Sequence, residues 1–127
     1  MRNVVNWFEI YTTDFNRAKK FYSDVFLMDL TVTPIQSERH TYMDYALFPG
    51  KEDGSGSMGA LVKLDKVNPG PGGTLIYFDT REISSELSRV TAAGGKIQQP
   101  KVNIGEAGFI ALTEDTEGNI IGLRSKE

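Results

Sequence analysis

Glu9 is the ionisable residue best placed for chemistry, two positions after Trp7 in the strand-like run Val4 to Tyr11. In an extended strand alternate side chains share a face, so Trp7, Glu9 and Tyr11 point one way and Phe8 and Ile10 the other. A carboxylate beside an indole is partly desolvated, which suits a general base. The same carboxylate can instead be structural, bonded to a tyrosine or a backbone amide, or closing a sheet or an interface. The remaining inventory is thin. The chain has no cysteine and one histidine, His40. This excludes disulfides, thiolate metal sites, a cysteine nucleophile and any site needing two histidines from one chain. No G-x-S-x-G sequence exists to pair a serine with His40. His40 follows Glu38 and Arg39 and reads as an exposed loop or strand-edge residue. Trp7 and Tyr77 are the aromatic side chains best suited to stack on a planar ligand. Tyr11, Tyr42, Tyr45 and Phe109 divide between core and cavity.

Two other runs imitate known sites without their spacing. Glu114-Asp115-Thr116-Glu117-Gly118-Asn119 lacks the D-x-[DN]-x-[DN]-G pattern with a distant Glu and reads as a solvated turn. Gly70 to Gly73 is not a phosphate loop, because no Gly-Lys-Ser/Thr follows. Lys101 and Glu106, in a Pro100–Gly108 loop, read as surface residues, with gating of a cavity mouth as the alternative.

The positioning elements come from hydrophobic periodicity. Asp14 is the expected N-cap of a helix whose apolar face is Phe15, Ala18, Phe21, Tyr22, Val25 and Phe26. Strands are expected at Asp29–Thr33, Thr41–Phe48 and Met58–Leu64. Asn68-Pro69-Gly70-Pro71-Gly72-Gly73 is a linker, after which the pattern restarts. Thr74–Asp79 reads as a strand with Leu75 and Tyr77 on one face. A helix follows from about Glu82, buried along Ile83, Leu87 and Val90 and stopped by Gly94-Gly95. Strands at Lys96–Gln99, Gly108–Thr113 and Asn119–Arg124 complete the chain. Trp7 precedes Asp14 by seven residues, and Leu75 precedes Glu82 by the same seven. A duplicated βαβββ unit is the simplest account, with module one at about 3–65, a linker at 66–73 and module two at about 74–126 in a single domain. The expected fold is α+β, with two units pairing their sheets into an open cup.

The ordered set Trp7-Phe8-Glu9-Ile10, Asp14, Arg17-Ala18 and Phe21-Tyr22, then Tyr77-Phe78-Asp79, Ala92-Ala93-Gly94-Gly95-Lys96, Pro100-Lys101, Glu117-Gly118-Asn119 and Gly122-Leu123, resembles the vicinal oxygen chelate superfamily. That superfamily includes glyoxalase I, bleomycin-resistance proteins and extradiol dioxygenases, and the chain looks closest to its lactoylglutathione lyase-related branch. The resemblance implies four concave-face ligands, His, Glu or Gln, two per half, with open positions for a chelating substrate. The matching positions hold Trp7, Leu75 and Gly122. The fourth falls within Ser55 to Leu64, which contains no Asp, Glu, His or Gln. Trp, Leu and Gly offer a divalent ion no useful lone pair. The expectation is therefore no metal and no cofactor. In some dimers of this fold a loop enters the partner's cavity, which leaves a role open for His40.

Three readings follow. The first is a metal-free protein binding a small apolar or aromatic molecule through Trp7, Glu9, Leu75, Tyr77, Phe109 and Gly122. The second is a lyase- or isomerase-type enzyme with Glu9 as base, or a divergent metal enzyme. The third is an interaction module whose cup is filled by its own side chains. A net charge of −3 with scattered Lys and Arg gives no footprint for nucleic acid or an anionic membrane. No apolar run reaches the roughly 18 residues of a membrane span. The N-terminus shows no signal-peptide core, and with the lack of cysteine this points to the cytoplasm. Exposed sheet edges and the family habit imply a homodimer.

Overall fold

The computed structural model describes residues 3–33 and 42–127; His40 lies outside them. The first unit is β1 (Trp7–Tyr11), α1 (Phe15–Phe26), β2 (Thr31–Val32), β3 (Tyr42–Leu47) and β4 (Met58–Leu64). The second is β5 (Ile76–Asp79), α2 (Ile83–Val90), β6 (Lys96–Asn103), β7 (Phe109–Glu114) and β8 (Ile120–Ser125), with a 3-10 turn at Gly105–Ala107. Each unit folds into a four-stranded sheet, in the orders β1-β4-β3-β2 and β5-β8-β7-β6. In both, the first strand runs parallel to the last and the other pairings are antiparallel. The architecture is the α+β duplicate expected from the sequence.

Local chemistry accounts for the helices. The Asp14 carboxylate accepts from the Arg17 N–H at 3.0 Å, and Phe15, Ala18, Phe21, Tyr22 and Val25 are buried. α1 ends at Leu27, which takes a left-handed conformation. Glu82 caps α2 by accepting from the Ser84 N–H, and Gly94, at φ +100, turns the chain away after it. One departure from the sequence reading is β6, which continues through Pro100 to Asn103 where a loop was expected. Register shifts between Ile97 and Gln99 and between Gln99 and Val102 absorb the proline. Bulges on an edge strand are where proline is tolerated.

The helical faces of the two sheets share one core. Phe8 from β1, Tyr22 and Phe26 from α1, Phe48 after β3 and Phe78 from β5 form an aromatic cluster. Ring centroids lie 4.6 Å apart for Phe26–Phe78, 5.7 Å for Phe48–Phe78 and 6.1 Å for Phe8–Phe78. The modules are thus joined by packing on that side. No backbone ladder joins β1 to β5, so the sheets remain two.

Candidate functional site

The unpaired edges of β1 and β5 leave a cleft of about 880 Å³ between the modules. Trp7, Glu9 and Tyr11 line it from β1; Leu75, Tyr77 and Asp79 line it from the β5 side. These are equivalent positions of the duplicate, taken alternately along each strand. The cleft also reaches Phe8 and Phe78 on the core side of the same strands, so it follows the seam rather than the concave floor alone. Ser55–Ser57 bounds one end; Gly70, Gly72 and Asn119 bound another part.

The aromatic walls are held in place. Trp7 Nε1 donates to Glu9 Oε2 at 3.2 Å, which orients the indole and ties up one carboxylate oxygen. Glu9 also acts on Tyr45: burial first, then the Glu9 charge, raises that phenol above its ordinary value. Tyr77 lies over Gly122, its cross-strand partner. A Cβ added at Gly122 would sit 2.3 Å from Tyr77 Cδ1, so only glycine lets the ring lie there. Trp7, Leu75 and Tyr77 stay 38%, 38% and 42% exposed, apolar surface that faces the cleft.

Parallel register now places the ligand position that the sequence left open. Tyr77 pairs with Gly122, and its equivalent Glu9 pairs with Ala60. Ala60 is therefore the first-half counterpart of Gly122. It is fully buried, in a cluster with Val62 and Leu64 against Tyr11, Tyr45 and Leu47. The side chains of Trp7, Ala60, Leu75 and Gly122 offer no useful lone pair to a divalent ion. Among the described residues, no three His, Asp or Glu side chains gather as a ligand set. The residues present do not fit the metal centre that the resemblance implies.

Two expected cavity residues stand elsewhere. Phe109 packs with Ile83, Ala111 and Leu123 beneath α2, on the core face of β7. Its alternation follows Ala111 and Thr113, which point into the core. Gly122 is covered by Tyr77 and offers no open surface. Lys101 does not border the cleft; its ammonium bonds Glu82 Oε1 at 2.8 Å and lies 4.7 Å from the Phe109 ring centroid.

The turn Glu114–Gly118 is the largest departure, because its Asp115 and Glu117 are buried rather than solvated. Asp115 accepts from Tyr22 Oη at 2.7 Å and from the Glu117 and Asn119 N–H groups at 2.8 and 2.9 Å. Glu117 accepts from the Thr13 and Asp14 N–H groups at 2.9 and 2.7 Å and from both ends of the Arg17 fork. Asn119 donates to the Tyr11 carbonyl at 2.9 Å and accepts from the Gly70 N–H at 2.8 Å. The second module therefore grips the β1–α1 junction of the first and pins one end of the cleft. Burial raises the Asp115 carboxyl. Burial also pushes Glu117 up, but Arg17 and the backbone donors outweigh it and hold that carboxyl below its ordinary value. Asp79 and Asn119 were not singled out as site residues by sequence reasoning. Asp79 was readable, since it stands to Glu82 as Tyr11 stands to Asp14.

Known proteins agree with this architecture. "Putative glyoxylase CFP32" of Mycobacterium tuberculosis is 27% identical over 123 residues, covering 93% of this chain. The chain spans only 44% of that relative's length. A glyoxalase/bleomycin resistance protein from Albidiferax ferrireducens superposes with a TM-score of 0.73 at 14% identity, over 98% of this chain and 100% of that one. TnmS3, an antibiotic binding protein from Streptomyces sp. CB03234, gives 0.65 at 23% identity, over 98% and 97%. The family pattern matches residues 4–123, and the chain belongs to the Glyoxalase/Bleomycin resistance protein/Dioxygenase superfamily.

Proposed function

We propose that the chain is a metal-free member of its superfamily that binds a small, partly aromatic or apolar molecule. The observation that carries this is the cleft along β1 and β5, where Trp7 and Tyr77 supply oriented rings while the implied ligand positions hold Trp7, Ala60, Leu75 and Gly122. Apolar area and stacking are sufficient for sequestration, and both are present before a ligand arrives. The antibiotic binding of TnmS3 is a model for this mode of action, carried over as part of the proposal.

The test uses Trp7 itself, the sole tryptophan. Planar aromatic compounds are titrated while its emission is followed, together with thermal unfolding and elemental analysis. A binder at a hundredfold excess over its Kd stabilises by about 2.7 kcal/mol, a melting shift on the order of 10 °C for a chain of this size. Saturable emission change with that shift and no stoichiometric metal is the expected result. Retained stoichiometric metal would overturn the metal-free reading. A panel that moves neither signal would overturn the binder.

A second reading has one observation in its favour, the Glu9 carboxylate placed in the cleft beside Trp7. In that reading Glu9 is the general base of a lyase or isomerase, and Glu9→Gln abolishes turnover while the fold persists. The unit is proposed to act in the cytoplasm as a homodimer. Exposed Ile97 and Val102 on edge strand β6, followed by exposed Ile104, support the pairing.

A further inference from the structure

The backbone of β5 presents an open edge to the cleft. In a parallel ladder a residue turns both its N–H and its C=O to one neighbour, and the next residue turns both to the other side. The Thr80 N–H donates to the Arg124 carbonyl, so Phe78 and Thr80 address β8 while Tyr77 and Asp79 turn theirs to the seam with β1. No ladder joins β5 to β1, and none of the described residues bonds Tyr77 or Asp79 from that side. We infer that this edge takes up an extended, amide-bearing segment as an added strand, the ligand being an N-acylated amino acid amide or short peptide with an aromatic side chain. This inference rests on the binder reading and specifies its ligand.

Three observations favour this occupant. The first is the edge of the other module. The Thr12 N–H donates to the Val62 carbonyl, so β1 has the same phase and Tyr11 faces the seam. The Tyr11 carbonyl accepts from Asn119 Nδ2 at 2.9 Å, and Asn119 Oδ1 accepts from the Gly70 N–H at 2.8 Å. A carboxamide thus already sits on one side of the seam, whereas the Asp79 carbonyl, the equivalent of Tyr11, receives no such group among the described residues. The second is the direction of the Tyr77 ring. It lies back over Gly122 on β8 and leaves the edge of its own strand uncovered. A residue paired with Tyr77 presents its side chain on the same face, so an aromatic one stands beside Tyr77 on the wall that carries Trp7. The third is that both faces of β5 line the cleft, with Tyr77 on one and Ile76 and Phe78 on the other. Main-chain bonds then give affinity, and apolar surface receives alternate side chains. β5 is four residues long, which limits the occupant to roughly 13 Å of extended chain.

The probe is N-acetyl-phenylalanine N-methylamide, compared with its ester analogue, in which oxygen replaces the phenylalanine N–H. Both are titrated against Trp7 emission in the full chain, and amide hydrogen exchange is followed by NMR. The amide is expected to bind about tenfold more tightly than the ester, which leaves the Tyr77 carbonyl without a donor. At saturation the Tyr77 N–H is expected to exchange about tenfold more slowly, while the Phe78 N–H, which faces β8, is unchanged. If the ester binds as well as the amide, or if Tyr77 exchange does not slow in the saturated complex, strand addition fails and the apolar binder stands. A Tyr77 N–H already protected in the ligand-free chain would show the edge occupied by a second copy and would also overturn the inference. If neither compound binds up to millimolar concentration while planar aromatic compounds still move Trp7 emission, the amide class alone is refuted. If those compounds fail as well, the binder reading falls with it.

Discussion

Replacing Glu117 by alanine removes the acceptor that joins the two modules at the α1 N-terminus. Its side chain is fully screened from solvent, and its two oxygens serve Thr13, Asp14, Arg17 and Thr116. A buried donor stripped of its partner costs about 1–3 kcal/mol. The Thr13 and Asp14 bonds are only part-buried, so water can repair some of the loss and the low end applies to each. The half-exposed Arg17 fork returns to solvent and adds little. With the side-chain packing lost as well, Glu117→Ala is expected to cost about 3 kcal/mol, and Glu117→Gln about half of that, because it keeps the shape and one acceptor. Against a typical total of 5–15 kcal/mol this is large. Urea unfolding at neutral pH reads it as a lowered midpoint at unchanged slope. A cost below about 1 kcal/mol for alanine would show that the grip is geometric coincidence.

The same variant has a pH signature with a definite sign. The folded-state Glu117 carboxyl lies below its ordinary value. Its contribution is therefore complete above the unfolded value of about 4.3 and is lost as pH falls through the folded value. Asp115 runs the other way. Burial raises its carboxyl, so its ionisation disfavours the fold as pH rises through that raised value. Removing Glu117 should flatten the acid limb of the stability profile.

Tyr22→Phe deletes the buried hydroxyl that donates to Asp115, at a cost of about 2 kcal/mol in urea unfolding; a neutral result would mean that Asp115 finds another donor. The Glu82 carboxyl, hydrogen-bonded by Lys101 and by the Ser84 N–H, is lowered to about 2. NMR titration should find it there, and Lys101→Met should return it towards ordinary carboxylates. Since the Glu82 side chain is 46% exposed, the difference should also shrink in salt. Gly122→Ala drives a methyl into Tyr77. The ring, half in solvent, is expected to swing outward for about 1–2 kcal/mol of stability and to weaken aromatic ligands about tenfold in the Trp7 titration. Unchanged affinity would show that Tyr77 is not part of the binding wall.

How much was legible follows from which signals are local. The α1 face and its Asp14 cap are written in residues within one turn of each other, and they fold as read. β4 runs over Met58–Leu64 as the apolar run indicated. The faces of β1 and β5 came from alternation and the repeat. Phe109 and the Glu117 turn were misplaced for a different reason. The charge of Asp115 and Glu117 argues for solvent, and only partners about 90 to 100 residues away, Tyr22 and Arg17, overturn it. Phe109 went astray because its face depends on where β7 begins. An expected start at Gly108 left that phase open, and the register with β8 decides it. The Ala60 position needed the parallel pairing of β1 with β4, which no single strand encodes.

The duplication also explains why one seam is fastened and the other open. The Thr12 N–H donates to the Val62 carbonyl and the Thr80 N–H to the Arg124 carbonyl, so the two β–α junctions are backbone equivalents. Their side chains differ. The Thr12 hydroxyl bonds Val62, whereas the equivalent Thr80 hydroxyl is buried with no hydrogen-bond partner among the described residues. Glu117 lies in the short turn before β8, and the longer loop before β4 carries Ser55. A short hydroxyl in the Lys51–Ser57 loop cannot reproduce the carboxylate's reach, and Ser55 lines the cleft instead. One copy has thus become a clamp and the other a wall. The implied metal positions have divided in the same way: Ala60 and Gly122 are covered by packing, while Trp7 and Leu75 face the cleft. In the proposed binder, two of these positions support aromatic side chains and two form recognition surface.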